Sequence, residues 1–157
     1  MKRIFLIALL FTASTLQKSF AQDSTKTQPS PLLSSYYNLK DALVSSNADM
    51  ASTSASAFVK ALDAAGREMV NDSSRAVLLN DANAIAETKD LKVQRTKFAT
   101  LSANMFVLAK TVKLSTSPVY LQYCPMKKAS WLSDNKAIKN PYYGSMMLTC
   151  GSVKETL

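Results

Sequence analysis

The chain has 157 residues, with 19 Lys and Arg against 11 Asp and Glu, two cysteines and no histidine, for a formal net charge of +8. The missing imidazole excludes a Ser-His-Asp triad, a histidine general base and any histidine-rich metal site, and a chain with three glycines has no Gly-rich phosphate loop. The chemistry that remains is sulfur: each cysteine stands beside methionine, in Cys124-Pro125-Met126 and in Met146-Met147-Leu148-Thr149-Cys150.

Lys2 and Arg3 precede an apolar run from Ile4 to Phe11, and Ser19-Phe20-Ala21 offers small residues at both cleavage-determining positions. This reads as a Sec signal peptide over residues 1–21. The run falls short of the roughly 20 residues a membrane span needs, and no second apolar stretch approaches that length. The expected mature chain is exported, periplasmic or secreted, with no stable membrane span. No lipobox cysteine follows the run, since both cysteines lie near the C-terminus, so a lipoprotein anchor is not indicated. Removing 21 of 157 residues leaves 136, enough for one domain with a real core. Lys2, Arg3 and Lys18 leave with the signal, which brings the charge of +8 down to +5. The remaining lysines are scattered, and no nucleic-acid partner is expected.

Residues 22–29 are polar and without periodicity, a flexible leader. Order is expected to begin at Ser30-Pro31, an N-cap serine followed by proline in the first helical turn. Leu33, Tyr36, Tyr37, Leu39, Leu43 and Val44 then recur at helical spacing, to about Ser46. Asn47 or Asp49 caps a second helix whose apolar stripe is Ala51, Ala55, Phe58, Val59, Leu62 and Ala65. A third segment starts near Arg75, after the turn residues Asn71-Asp72-Ser73-Ser74. Asp90 caps the longest helix, in which Leu91, Gln94, Phe98, Leu101, Met105, Leu108 and Val112 form one face. Gln94 is its polar member, read as a core amide that needs partners.

Ser115-Thr116-Ser117-Pro118 then breaks the helix, and Val119 to Tyr123 alternates like a short extended piece. From Cys124 onward the chain is rich in Pro, Gly, Asn and aromatic residues, with one helical turn expected near Ser130 to Asn135. The expected fold is all-α: an up-and-down four-helix bundle over residues 30–114, with an irregular C-terminal cap over 115–157 packed on it as one domain.

A set of strings resembles one known bacterial family, the domain of unknown function 3347. They are Tyr36-Tyr37-Asn38-Leu39-Lys40-Asp41-Ala42-Leu43-Val44, Gln94-Arg95 with Phe98 and Leu101-Ser102, Val119-Tyr120, and Tyr123-Cys124-Pro125-Met126. Trp131-Leu132-Ser133, Asn140-Pro141-Tyr142-Tyr143-Gly144 and Met147-Leu148-Thr149-Cys150-Gly151 complete the set. The C-terminal strings are the specific part. The resemblance implies an exported protein, and because the domain is also appended to periplasmic adaptor subunits of heavy-metal efflux systems, it implies metal handling and efflux components as partners.

Two readings of the sulfur groups stay open. Cu(I) is a soft ion that takes two or three thiolate and thioether ligands, and Cys124, Cys150, Met126 and Met147 could supply them. Lys127 and Lys128 would lower the Cys124 thiol pKa and favour the ligand form. Alternatively, an even pair of cysteines in an oxidising compartment forms a disulfide. Closing the Cys124–Cys150 loop would stabilise the fold by about 3.5 kcal/mol in the chain-entropy picture. Tyr123, Trp131, Tyr142 and Tyr143 are expected as aromatic anchors of the cap, or as the face an interaction module offers a protein partner. Met50, Met69 and Met105 read as core fillers. The carboxylates show no Glu-x-x-His pairing, so no enzyme is expected. The leading expectation is an exported Cu(I)-binding chaperone or efflux accessory; the competing one is an interaction module with a structural disulfide.

Overall fold

The computed structural model describes residues 29–157. The expected signal peptide, 1–21, and all but the last residue of the expected leader, 22–29, lie outside the described residues. Four helices follow in chain order: α1 Pro31–Val44, α2 Ala48–Ala64, α3 Asp72–Ala86 and α4 Leu91–Thr111. Each begins at a side chain that accepts from an otherwise unpartnered backbone N–H of the first turn. Ser30 Oγ accepts from Leu33 N, Asn47 Oδ1 from Met50 N, Asn71 Oδ1 from Ser74 N, and Asp90 Oδ1 from Lys92 N and Val93 N. The third helix therefore starts at Asp72, one turn before the position its periodicity suggested.

Consecutive helices pack on one another, α1 on α2, α2 on α3 and α3 on α4. A stacked pair brings α1 to α4, with the Tyr36 and Phe98 rings 5.4 Å apart and 21° from parallel. The stripe read from the sequence is the buried face of α4: Gln94, Phe98, Leu101, Met105 and Leu108 are all buried. Gln94 Nε2 donates to the Ala48 and Thr88 carbonyls at 2.9 and 2.8 Å, tying the N-terminus of α4 to that of α2.

The all-α expectation is wrong. The C-terminal segment is not irregular but carries a three-stranded antiparallel sheet, β1 Tyr120–Cys124, β2 Ala129–Ser133 and β3 Ser152–Thr156, in the order β2-β1-β3. The extended piece at Val119–Tyr123 became the central strand. The helical turn expected near Ser130 to Asn135 is instead mostly β2, because Trp131, Leu132 and Ser133 are buried in succession against two different layers, a pattern that a helical face cannot satisfy. Leu121 lies opposite Leu132 and Gln122 opposite Trp131. The β1–β3 ladder shifts register between Leu121 and Gln122, a bulge that adds local twist.

β2 packs against α4, and the segment from residue 134 to 151, including a 3-10 turn at Gly144–Met147, covers the other face. Gln122 Nε2 holds that cover by donating to the carbonyls of Asn135, Lys136 and Ala137 at 2.7 to 3.3 Å. Bundle and cap share one hydrophobic core, which includes Leu33, Phe58, Phe98, Leu101, Trp131 and Leu132. Among the described residues no helix is long and apolar enough to cross a membrane.

Candidate functional site

Cys124 is the last residue of β1, and Cys150 lies two residues before β3 begins. The ladder pairs Tyr123 with Ser152, so antiparallel pairing alone carries the two cysteines to neighbouring positions at one end of the sheet. Their Sγ atoms are 3.9 Å apart and both thiols are free. Cys124 is fully buried, whereas Cys150 is half-buried.

The tight turn after β1 bends under Cys124, with Lys128 in the left-handed region at φ 54°, and Lys127 N donates to Cys124 Sγ at 3.5 Å. Asn140, itself completely buried, fixes the facing segment. Its Nδ2 donates to the Cys150 carbonyl, its Oδ1 accepts from Tyr142 N, and its backbone N–H donates to Leu148 O, each at 2.8 Å. Cys150 N closes the turn onto Met147 O.

These surroundings divide the two thiols. Burial pushes Cys124 up, but donors from Lys127 N–H, the Asn140 side chain, the Cys150 thiol and Met126 N–H outweigh it, and the net pKa lies below the ordinary thiol value. Cys150 is pushed up, first by burial and then by its neighbour Cys124. The two sulfurs are 3.9 Å apart, and their surroundings make Cys124 the more acidic thiol of the pair. The residues that achieve this are partly those the sequence indicated. Lys127 acts on Cys124 through its backbone N–H, and not through the side-chain charge expected of Lys127 and Lys128.

The methionines are less committed. Met126 is 64% exposed on the turn that also carries Lys127, and Met147 is half-buried in the 3-10 turn. Among the described residues no group of three or more His, Cys, Asp and Glu could hold a metal. With metal–sulfur bonds of about 2.3 Å, two sulfurs 3.9 Å apart subtend about 116°, near the trigonal angle. Two thiolates at this separation could hold a soft ion that takes one more ligand.

The cap aromatics divide as well. Trp131 is fully buried and meets Tyr142 edge-on at 5.9 Å and 80°, and Tyr142 leans on Phe98 of α4 at 6.0 Å. Tyr142 donates to Ser130 O at 2.5 Å. Trp131 and Tyr142 are thus buried anchors and offer no face to a partner. Tyr123 and Tyr143 are half-buried, the former beneath Lys154 with Nζ 5.4 Å from the ring centre. Burial pushes the Tyr36, Tyr37 and Tyr142 phenols well above their usual range.

Sequence reasoning missed the weight carried by Arg95 and Asn140. Arg95 Nε donates to Pro141 O at 2.9 Å, and its Nη2 donates to Leu43 O at 3.1 Å and to Ser46 Oγ at 2.8 Å. One side chain so joins α4, the α1–α2 turn and the cap. The signal was present: Arg95 lies beside the buried Gln94, and Asn140 precedes a proline and two aromatics.

A bundle of four helices under a small antiparallel sheet, with a paired-thiol site at the sheet's end, defines the class of protein. The chain belongs to the family described as Protein of unknown function (DUF3347), whose profile matches residues 32–117. That match spans all four helices and stops before β1, so the sheet and both cysteines lie beyond it. No curated protein and no solved structure matches the chain.

Proposed function

We propose that the protein is an exported carrier of a soft metal ion, Cu(I) before others, acting as a chaperone or as an accessory of a periplasmic metal-efflux system and catalysing no reaction. The observation that supports this reading is the pair of free thiols with sulfurs 3.9 Å apart, one of them held below its ordinary pKa. Cys124 and Cys150 would be the thiolate ligands. A thioether from Met147 or Met126, both flexible side chains on the flanking turns, would complete a three-coordinate shell. Export rests on the charged and apolar leader of residues 1–21, and the efflux role on the family resemblance.

The test is a titration of the reduced mature protein with Cu(I) against a competing chelator, with Cys150→Ser as control. The proposal predicts one ion per chain held by the wild type and a loss of at least a hundredfold in the variant. Equal competition by both proteins would contradict it.

The full burial of Cys124 favours a second reading, in which the pair is a structural disulfide. Forming it closes the sulfurs to about 2.05 Å, with two electrons and two protons passing to an external disulfide donor. The intact mass of the exported protein separates the two: loss of two hydrogens supports the disulfide, and a free dithiol supports the carrier.

A further inference from the structure

Where the first turns of α4 meet the cap there is a cleft of about 430 Å³. Lys92 and Arg95 line it from the helix and Lys127 from the β1–β2 turn, with Tyr143 and Met146 along the wall and no carboxylate among the described residues of its lining. Among the described residues none of the three cations has an acidic partner within ion-pair distance, and none sits over an aromatic ring. A half-buried guanidinium with no counter-ion is costly, and burial indeed pushes Arg95 below its ordinary pKa.

We propose that this cleft, lined by Lys92, Arg95 and Lys127, binds a phosphate-type oxyanion. The orientation of Arg95 carries the choice of ligand. Its Nε and both Nη2 hydrogens are spent on Pro141 O, Leu43 O and Ser46 Oγ, which fixes the guanidinium plane and leaves the two Nη1 hydrogens without a partner among the described residues. Forked recognition of a carboxylate or a phosphate uses two adjacent guanidinium nitrogens, and here only one is left, so Arg95 can offer a single nitrogen and the other donors must come from the lysines. Single-nitrogen donors from three side chains, two of them rotatable ammonium groups, suit the separate oxygens of a tetrahedral anion instead. Charge agrees: three uncompensated cations in one recess favour a dianion over a monoanion.

Lys127 also borders the thiol site through its backbone N–H, but the oxyanion site uses its side chain and does not depend on any metal. The test is titration of the full mature chain with inorganic phosphate, read by calorimetry and by the Arg95 Nε–H resonance, with acetate at matched ionic strength for comparison. Phosphate is expected to saturate one site and acetate to leave the resonance in place. Replacing both Lys92→Ala and Lys127→Ala should weaken phosphate at least tenfold, since neither ammonium holds the fold. Lys60→Ala on α2 should stay within twofold of wild type. A glycerol phosphate arm identifies the source: saturation by it assigns the site to phosphate monoesters, and saturation by inorganic phosphate alone assigns it to the free ion. Equal shifts with acetate and phosphate, or unchanged affinity in the double lysine variant, would overturn the proposal.

Discussion

A buried phenol shows how single residues tie the two halves of this molecule. Tyr36 of α1 lies wholly inside, its hydroxyl 2.6 Å from Ser102 Oγ of α4 while it accepts from Leu132 N of β2 at 3.0 Å. Ionising it would place a charge where no water can reach, and the same holds for Tyr37 and Tyr142. The sign of the consequence is fixed. These groups keep their protons in the folded state at pH values where the unfolded chain has lost them, so their contribution is complete below about pH 10 and fades as the pH climbs beyond it. Each such tyrosine changes stability by about 1.4 kcal/mol per pH unit in that window. Titrated by tyrosinate absorbance at pH 11, the native protein should show fewer ionised phenols than the chain in denaturant, and its denaturant midpoint should fall between pH 10 and 12. A native titration that overlays the denatured one would contradict this.

At the scale of elements, the junction between the bundle and the cap turns on Gly144. Its φ of +56° lies in the left-handed region, and a Cβ there would meet Ser46 Oγ, Arg95 Nη2 and the Val44 carbonyl, the last two at 2.9 Å. The backbone carbonyl cannot yield, and the Arg95 bracket would be pushed off its partners. Gly144→Ala is therefore expected to cost about 2 kcal/mol or more, measured as a lower urea midpoint, with the helix content of the folded state unchanged. A variant as stable as wild type would show that the 3-10 turn is held more loosely than its contacts imply.

The helices were legible because their signals are local. Ser30, Asn47 and Asp90 as caps and the three-and-four stripe on α4 need only neighbours in sequence. β2 and β3 were not, for a physical reason: Ala129–Ser133 and Ser152–Thr156 do not alternate, and their pairing is set by β1, more than 25 residues away from β3 in the chain. The thiol pair was legible as two residues of the right kind, and its closeness was not, since it depends on the Tyr123–Ser152 register. Asn140, which shapes the site, gave no periodic signal at all.

At the scale of the molecule, the rings of Tyr36, Phe98, Tyr142 and Trp131 run in contact from α1 through α4 into the cap, and Arg95 ties the same parts from the surface. Such a scaffold fixes one end of its sheet, as the proposed two-thiolate site would require to keep its sulfurs at a set separation. The 3-10 turn and the β1–β2 turn carry Met147 and Met126, the thioethers that would complete the proposed shell. X-ray absorption at the copper edge of the 1:1 Cu(I) complex should show two or three sulfur neighbours at about 2.3 Å and no nitrogen or oxygen in the first shell, with one sulfur fewer in Cys150→Ser. A first shell of nitrogen and oxygen, or a spectrum unchanged in that variant, would contradict it.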